Sequence, residues 1–354
     1  AERLARDANA RLVLMGRTPT PARERWAATL ADPTTRAEVR RRIEGLQLLD
    51  SLGCEFEVVA GNVAEPADVV RAVQRARERF GALHGIIHAA GVPGMGMMQF
   101  KTIDDVERVL APKVWGTLAI AEAIGDDPLD FLVLFSSVAA WTGALGQADY
   151  SAANAFLDAF ARSGALPQAK VVSIGWGEWT WNGWEEGLAG YEPVLRAFYI
   201  HHREVFGIDF DAGWRCLKRI LTLDVPHLVV NTQDFSTSLA GSRNYTIRDI
   251  QAGARKGRGD QRYPRPELST PYISPATPQE EAVAEIWGEW LGIDQVGVQD
   301  NFFDLGGNSL IGVGVTDAVR AALELDHLPA HLLYQAPTVS ALTAAALASQ
   351  AADP

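Results

Sequence analysis

Short apolar runs alternate with amphipathic stretches over the first two thirds of the chain. Residues 11–15, 56–60, 83–89, 130–136, 170–175 and 227–231 are compact runs rich in Val, Ile, Leu and Phe, and they read as strands. Between them, residues 23–52, 65–80, 103–124 and 148–163 place apolar positions at helical spacing. Several of the runs lack the apolar–polar alternation of a strand with one wet face, so they predict strands buried on both sides. Strands separated by helices predict a parallel sheet covered by helices, a doubly wound, Rossmann-like α/β domain. In such sheets ligands bind beyond the carboxyl ends of the strands.

The pattern breaks between residues 251 and 278. Arg255, Lys256, Arg258, Arg262 and Arg265 lie there among Pro264, Pro266, Pro271, Pro275 and Pro278, with few apolar residues to anchor them. This composition predicts an extended linker. Its basic side chains are read first as solvated, and second as weakly docked on the acidic C-terminal domain. Residues 279–291 then form a helical pattern with Trp287 and Leu291 on the apolar side. Further helical patterns lie beyond Ser309, so the C-terminal part suits a small all-α bundle. The expected organisation is a first domain at 1–246, a linker at 247–276 and a second domain at 277–354.

Charge sharpens this division. The formal net charge is -12, and residues 277–354 contain eleven acidic residues against a single basic one, Arg320. An acidic domain argues against nucleic acid as a partner. It fits either a solvated surface or docking onto electropositive protein surfaces. Two distant cysteines, Cys54 and Cys216, suggest structural thiols in a reducing compartment, and a cytoplasmic location is expected. The longest apolar stretch, 131–146, is too short for a membrane span and contains Ser136, Ser137 and Thr142. The first residues read as a charged amphipathic helix and not as a signal peptide. With no initiator Met, the sequence is expected to be a piece of a longer polypeptide. His201-His202 and the pair His327 and His331 have no surrounding ligand set, so no metal site is expected.

Candidate chemistry begins at Ser136-Ser137, which ends one strand. Thirteen residues after Ser137 comes Tyr150, in Tyr150-Ser151-Ala152-Ala153-Asn154, and upstream Lys113 lies in Ala111-Pro112-Lys113-Val114-Trp115-Gly116. Singly, these residues suggest turn chemistry, packing and a solvated charge. Together, with His88-Ala89-Ala90-Gly91 between them, they resemble the ketoreductase domains of modular polyketide synthases, within the short-chain dehydrogenase/reductase family. The resemblance extends from Ala1 to about Thr246. It implies that Tyr150, Ser137, Lys113 and Asn154 form an active-site tetrad that reduces a ketone. Reduction leaves an alkoxide that needs a proton, which Tyr150 would give. Lys113 would lower the phenol pKa from its usual value of about 10. Ser137 would hold the carbonyl oxygen, and Asn154 the lysine or a relay water. The hydride must come from a nicotinamide cofactor, because no side chain donates one.

The resemblance also implies a cofactor site. Arg17, after Leu12-Val13-Leu14-Met15-Gly16, would meet an adenosine 2′-phosphate, which favours NADPH. Asn62-Val63 stands where the family commonly has Asp-Val beside the adenine. Ala89, Ala90 and Gly91 would line the ribose and nicotinamide side, and His88 reads equally as a packed histidine. The family's glycine-rich phosphate loop, with its strand, is absent from these residues. The later cluster Gly91-Val92-Pro93-Gly94-Met95-Gly96 does not open a helix and is no substitute. Trp176, Trp179, Trp181 and Trp184 suggest either core packing or a substrate lid. Val92-Pro93-Gly94-Met95 departs from the Leu-Asp-Asp of B-type ketoreductases. Thr142 stands where the other type has tryptophan, with Trp141 one position off; a non-B type is expected.

The remaining motif is Asp304-Leu305-Gly306-Gly307-Asn308-Ser309-Leu310, following Asn301-Phe302-Phe303. A serine opening a helix is ordinarily a cap. The wider string, with Leu328-Pro329 and residues 332–339, resembles the phosphopantetheine attachment site of polyketide and nonribosomal peptide carrier proteins. That implies 4′-phosphopantetheine on Ser309, presented with help from Asp304, with Leu310, Val313 and Val315 available to partners or to the carrier core. The expected function is NADPH-dependent reduction of a carrier-tethered β-ketoacyl thioester within a multidomain synthase. The implied partners are a phosphopantetheinyl transferase and neighbouring synthase domains (a ketosynthase, an acyltransferase or adenylation domain, a thioesterase or next module) in a homodimeric assembly. Two rivals stand beside it: an α-ketoacyl reductase of the peptide-synthetase type, kept open by Asn308, and a carrier beside a non-catalytic reductase remnant.

Overall fold

The computed structural model describes residues 1–94, 96, 98, 101–143, 146–181, 200, 203–244, 262–307, 309–329 and 331–351. All six expected strands form: β1 (Leu12–Gly16), β2 (Phe56–Ala60), β3 (Gly85–His88), β4 (Leu129–Ser137), β5 (Ala169–Trp176) and β6 (His227–Val230). Every pairing is parallel. β1 pairs with β2, and β3-β4-β5-β6 form a second, four-stranded sheet. Parallel neighbours need crossover connections, and the helices between the strands supply them. The carboxyl ends at Gly16, Ala60, His88, Ser137, Trp176 and Val230 open into the loops that carry the candidate residues.

β4 shows why its sequence is almost uniformly apolar. Leu132 and Leu134 pack with Val69, Ile120, Leu157 and Phe160 on one face, and Val133 packs with Ile174, Leu217 and Ile220 on the other. Neighbouring side chains on a strand point to opposite faces, so a strand between two helical layers has no wet side. The covering helices are α1 (Glu2–Ala8), α2 (Trp26–Ala31), α3 (Ala37–Ser51), α4 (Pro66–Phe80), α5 (Ile103–Ile124), the short α6 (Ala139–Thr142), α7 (Ala148–Arg162), α8 (Phe210–Thr222) and α9 (Phe235–Asn244).

Two expectations about helices need correction. Residues 23–52 are not one helix: α2 stops at Ala31 and α3 starts at Ala37. Pro33 disfavours helical backbone at Asp32. The Asp32 carboxylate turns the chain by accepting from the Thr34 N–H (2.8 Å) and hydroxyl (2.7 Å). In addition, α8 was not anticipated from the sequence. Asp209 caps it by accepting from the Ala212 N–H at 2.6 Å, and its Leu217 and Ile220 complete the core beneath β5.

The C-terminal part is helical, with α10 (Pro278–Leu291), α11 (Ser309–Ala322), α12 (Leu332–Gln335) and α13 (Val339–Ala351). Thr277 and Glu280 form a reciprocal capping box at the start of α10. Trp287 and Phe302 are fully buried and meet edge to face at 5.0 Å. Ile311, Val315 and Val319 of α11 join the same core, so Val315, one of the residues weighed for partner contact, is internal. The basic stretch ahead of α10 makes direct contact with this bundle. Arg265 grips the fully buried Asp300 with two bonds, Nε at 2.8 Å and a terminal nitrogen at 2.6 Å, and Val298 N–H donates to the Ile273 carbonyl. Among the described residues, no helix is long and apolar enough to cross a membrane.

Candidate active site

Four expected residues come together from three separate elements. Ser137 ends β4, Tyr150 and Asn154 lie one turn apart on α7, and Lys113 projects from α5. The Tyr150 hydroxyl is within hydrogen-bonding reach of the Ser137 and Asn154 side chains. Asn154 is fully buried, and its Nδ2 donates to the Tyr150 carbonyl at 2.8 Å, which fixes the amide against its own helix. The neighbouring Ser136 hydroxyl donates to the Asn154 carbonyl at 3.2 Å, tying α7 to the end of β4. Lys113 is buried beneath this group, with Nζ 6.0 Å from the centre of the Tyr150 ring.

The electrostatics differ from expectation in one respect. The Tyr150 pKa is raised and not lowered. Burial raises the Tyr150 pKa above its ordinary value, opposed by the hydrogen bonds from Ser137 and Asn154. Removing a phenolate from water outweighs the two donors that would stabilise it. Nζ of Lys113 instead donates to the Phe135 carbonyl at 2.7 Å. Burial lowers the lysine pKa to about 8, with the Asp158 carboxylate opposing the shift. His88 is held at about 4 by burial and by Lys113, so it is neutral and packed, and its ring donates to the Pro112 carbonyl.

The expected cofactor residues are less uniform. Arg17 is exposed just past β1, with no hydrogen-bond or ion-pair partner among the described residues. Ala89, Ala90 and Gly91 follow β3 directly, beside His88. Asn62 is committed to its own loop: its N–H donates to Asp68 at 2.7 Å and its side-chain oxygen accepts from the Ala64 N–H at 3.2 Å. Val63 packs where a side chain on Gly116 of α5 would stand. Arg17 beyond β1 and Ala89–Gly91 beyond β3 both follow the carboxyl ends of parallel strands, the end where such sheets bind ligands, and an exposed guanidinium there suits a phosphate.

Sequence reasoning missed five charged residues around this site. Asp149, directly before Tyr150, is buried and paired with Lys101. Asp158 accepts from the Ser173 hydroxyl at 2.6 Å on the far side of α7. Glu178 pairs with Arg203 at 2.9 Å and is close enough to disfavour ionisation of Tyr150. The acid just ahead of the tyrosine was the one signal available, because a charge that is buried beside a reactive residue needs a partner. Of the tryptophans, Trp176 and Trp179 pack at 4.8 Å over α8 as core, and Trp181 is exposed. Trp184, His201 and His202 lie outside the described residues. Trp141 stacks on His227 at 5.5 Å.

At the second candidate site, Ser309 opens α11; its side chain and the whole of Asn308 lie outside the described residues. The approach to it explains the two glycines. Gly306 has φ +91°, a conformation that favours glycine. A Cβ on Gly307 would stand 2.4 Å from the Phe302 ring, so the loop crosses that ring with no room for a side chain. Phe302 N–H in turn donates to the Pro337 carbonyl at 2.8 Å, linking the loop to the entry of α13.

Residues 1–181, just over half of the chain, match the family described as the KR domain. The chain belongs to the ketoreductase domain family. Residues 281–346 match a second description, the phosphopantetheine attachment site, so a carrier domain follows the ketoreductase on the same chain. The chain is 39% identical over 171 residues to a phenolphthiocerol/phthiocerol polyketide synthase of Mycobacterium tuberculosis, covering 48% of this chain and 9% of that protein. It is 33% identical over 221 residues to the 6-methylsalicylic acid synthase of Aspergillus terreus, covering 62% and 12%. The crystal structure of a ketoreductase domain from the bacillaene assembly line is similar at 30% identity and a TM-score of 0.51, covering 65% of this chain and 51% of that one. The chain therefore spans about a tenth of the length of these curated relatives.

Proposed function

We propose that this chain reduces a β-ketoacyl thioester to the hydroxyacyl thioester, with the acyl group carried on 4′-phosphopantetheine attached to Ser309. The convergence of Tyr150, Ser137 and Asn154 over a buried Lys113, on the chain that carries the phosphopantetheine attachment motif, supports this reading. NADPH, when bound, supplies the hydride to the carbonyl carbon, and Arg17 with the Ala89–Gly91 backbone would hold it.

The remaining work falls to the protein. The Ser137 hydroxyl and the Tyr150 hydroxyl hold the ketone oxygen, aiming donors at the atom where negative charge develops. Burial keeps Tyr150 in its neutral, proton-bearing form at neutral pH, which suits a general acid. Its Oη proton passes to the new alkoxide, giving the alcohol. The donors on Ser137 and Asn154 stabilise the tyrosinate left behind, and the Lys113 ammonium beneath the ring favours the same anion. A proton from solvent then restores the phenol. Tethering makes delivery of the ketone effectively intramolecular, which raises its local concentration. A phosphopantetheinyl transferase, the flanking synthase domains and a homodimeric assembly belong to this proposal. The β-keto reading is preferred because the matched relatives are polyketide synthases.

Intact-protein mass after incubation with coenzyme A and a phosphopantetheinyl transferase tests the carrier, with Ser309→Ala as control. NADPH oxidation with a soluble β-ketoacyl thioester tests the reductase, with Tyr150→Phe as control. One phosphopantetheine addition lost in the first variant, and turnover lost in the second, is the expected result. Modification that survives Ser309→Ala would overturn the attachment site. Turnover that survives Tyr150→Phe would overturn the acid.

A further inference from the structure

A buried ion pair lies just behind the active site. Nζ of Lys101 approaches Oδ2 of Asp149 at 2.5 Å, and the two side chains are 4% and 0% exposed. Lys101 immediately precedes Thr102, the N-cap of α5, which carries Lys113. Asp149 is the second residue of α7, and its Oδ1 accepts from the Tyr150 N–H at 2.9 Å. The pair therefore joins the starts of the two helices that supply Lys113, Tyr150 and Asn154.

Two further contacts join the same segments. A Cβ on Gly94 would stand 2.3 Å from Asp149 Oδ1, so the loop after β3 lies directly on this carboxylate. A Cβ on Gly146 would stand 3.4 Å from the Gly96 nitrogen, so the loop leading into α7 runs against the loop after β3. The Ala89–Gly91 backbone begins that loop, and Tyr150 lies in the first turn of α7. A dry carboxylate with an ammonium, a backbone N–H and no space for a methyl group around it has one favourable position. Buried charges are costly to move once paired.

We propose that the Lys101–Asp149 pair is a positioning device for Tyr150. It locks the start of α7 against the loop after β3 and so fixes where the tyrosine hydroxyl meets the substrate ketone. This rests on the reading of Tyr150 as the proton donor. Neither residue of the pair touches the reacting atoms; both act through the helix start.

The test compares Lys101→Met, the double variant Lys101→Met/Asp149→Asn, and Gly94→Ala, each in the full polypeptide carrying this chain. The double variant removes both charges, leaves no buried carboxylate unpaired and retains the acceptor for the Tyr150 N–H. It is expected to melt close to the parent, yet to lose kcat by roughly 30-fold, with KM for a soluble β-ketoacyl thioester within about twofold, because small misplacements of a reacting group are costly. Gly94→Ala, which leaves both charges in place and displaces the carboxylate, is expected to lower kcat in the same way. Amide exchange gives a readout independent of turnover: the Tyr150 N–H should lose protection by about tenfold, with Phe160 at the far end of α7 unchanged. A double variant with parental kcat, or unaltered protection at Tyr150, overturns the proposal. If a variant fails to fold, Gly94→Ala and the exchange measurement decide. Tyr150→Phe in the parent separates the two readings: turnover retained there removes the proton-donor assignment, whereas turnover lost there with a parental double variant removes only the positioning role.

Discussion

The two halves of the chain build their candidate sites in opposite ways. The ketoreductase site is assembled from segments far apart in sequence, and it is enclosed. Lys113, Asn154, Asp149, Asp158 and His88 are all buried around it. The carrier site is local: a loop of seven residues and the first turn of a helix, over a core made almost entirely of Trp287, Phe302 and aliphatic side chains. Asp304 in that loop is exposed. The difference suits the proposed roles of the two halves. Proton transfer needs shifted pKa values, and desolvation is what shifts them. Attachment of a prosthetic arm, as proposed for Ser309, needs a hydroxyl that another enzyme can reach; Ser309 stands at a helix start, and the buried charge of Asp300 lies elsewhere.

The sharpest way to break this comparison is to remove the proposed acid, Tyr150. Tyr150→Phe keeps the ring and its packing and deletes only the hydroxyl. General acid catalysis typically contributes 10²–10⁴-fold, so kcat should fall by about 10³-fold with little change in melting temperature. Mass addition at Ser309 in the same protein should be unaffected. A carrier that fails to load in this variant would show that the two halves are not chemically independent.

The matching experiment on the carrier removes a charge that serves structure only. Asp300→Ala leaves Arg265 facing an apolar core and deletes the acceptor for the Gly297 N–H at 2.8 Å. Losing one partner of a buried pair is destabilising by roughly 3–5 kcal/mol, which should unfold the carrier while NADPH oxidation on a soluble thioester persists. Two resolved melting transitions in the parent, of which only one moves in the variant, would confirm it.

Lys113 gives a third, pH-resolved comparison. Its folded pKa of about 8 lies below the ordinary lysine value of 10.5. Between those values the unfolded chain binds the proton that the folded chain has released, so stability rises with pH across this window. Relative to Lys113→Met, the parent should gain up to roughly 3 kcal/mol on going from pH 8 to pH 10.5, read by denaturant melts. Activity should show the opposite trend: kcat/KM falls as pH passes about 8 and the ammonium is lost. A parent and variant with parallel stability–pH curves would mean the ammonium is not desolvated.

Much of this was legible in the sequence, and the part that was not has a physical cause. All six strands were visible because a strand between two helical layers has no polar alternation, as Leu132, Val133 and Leu134 show. Ser137, Tyr150 and Asn154 could be picked out together through the family resemblance, which their short spacing from a strand end into a helix carries. Lys113 could be selected as well, but its direction could not. Whether an ammonium faces a phenol or a carbonyl depends on the crossing of α5 and β4, and how deeply the phenol is buried depends on the fold, so the direction of the Tyr150 shift was misjudged. Asp149 and Lys101 were invisible as a pair because nothing in sequence relates residues 48 apart until the loop after β3 is laid on α7. On the carrier side, Arg265 looked like one solvated arginine among several, and only the fold supplied Asp300.

The smallest expected effect concerns Gly307, two residues before the proposed attachment serine. Gly307 differs from Gly306 in what it lacks. Gly306 needs freedom of backbone at φ +91°, whereas Gly307 needs empty space, because a Cβ there would meet the Phe302 ring at 2.4 Å and the Phe302 carbonyl oxygen at 2.5 Å. The ring cannot withdraw easily: Phe302 is fully buried and held by Trp287 on one side and by Phe303 at 5.4 Å on the other. Gly307→Ala should therefore destabilise the carrier by about 1–3 kcal/mol, the usual range for overpacking, and slow loading of Ser309 by displacing the start of α11. Ala or Ser at Gly306 should produce a smaller loss, of order 1 kcal/mol. If the two alanines instead cost the same, the loop is held by backbone conformation alone, and the aromatic platform under the attachment site has no part in presenting the serine.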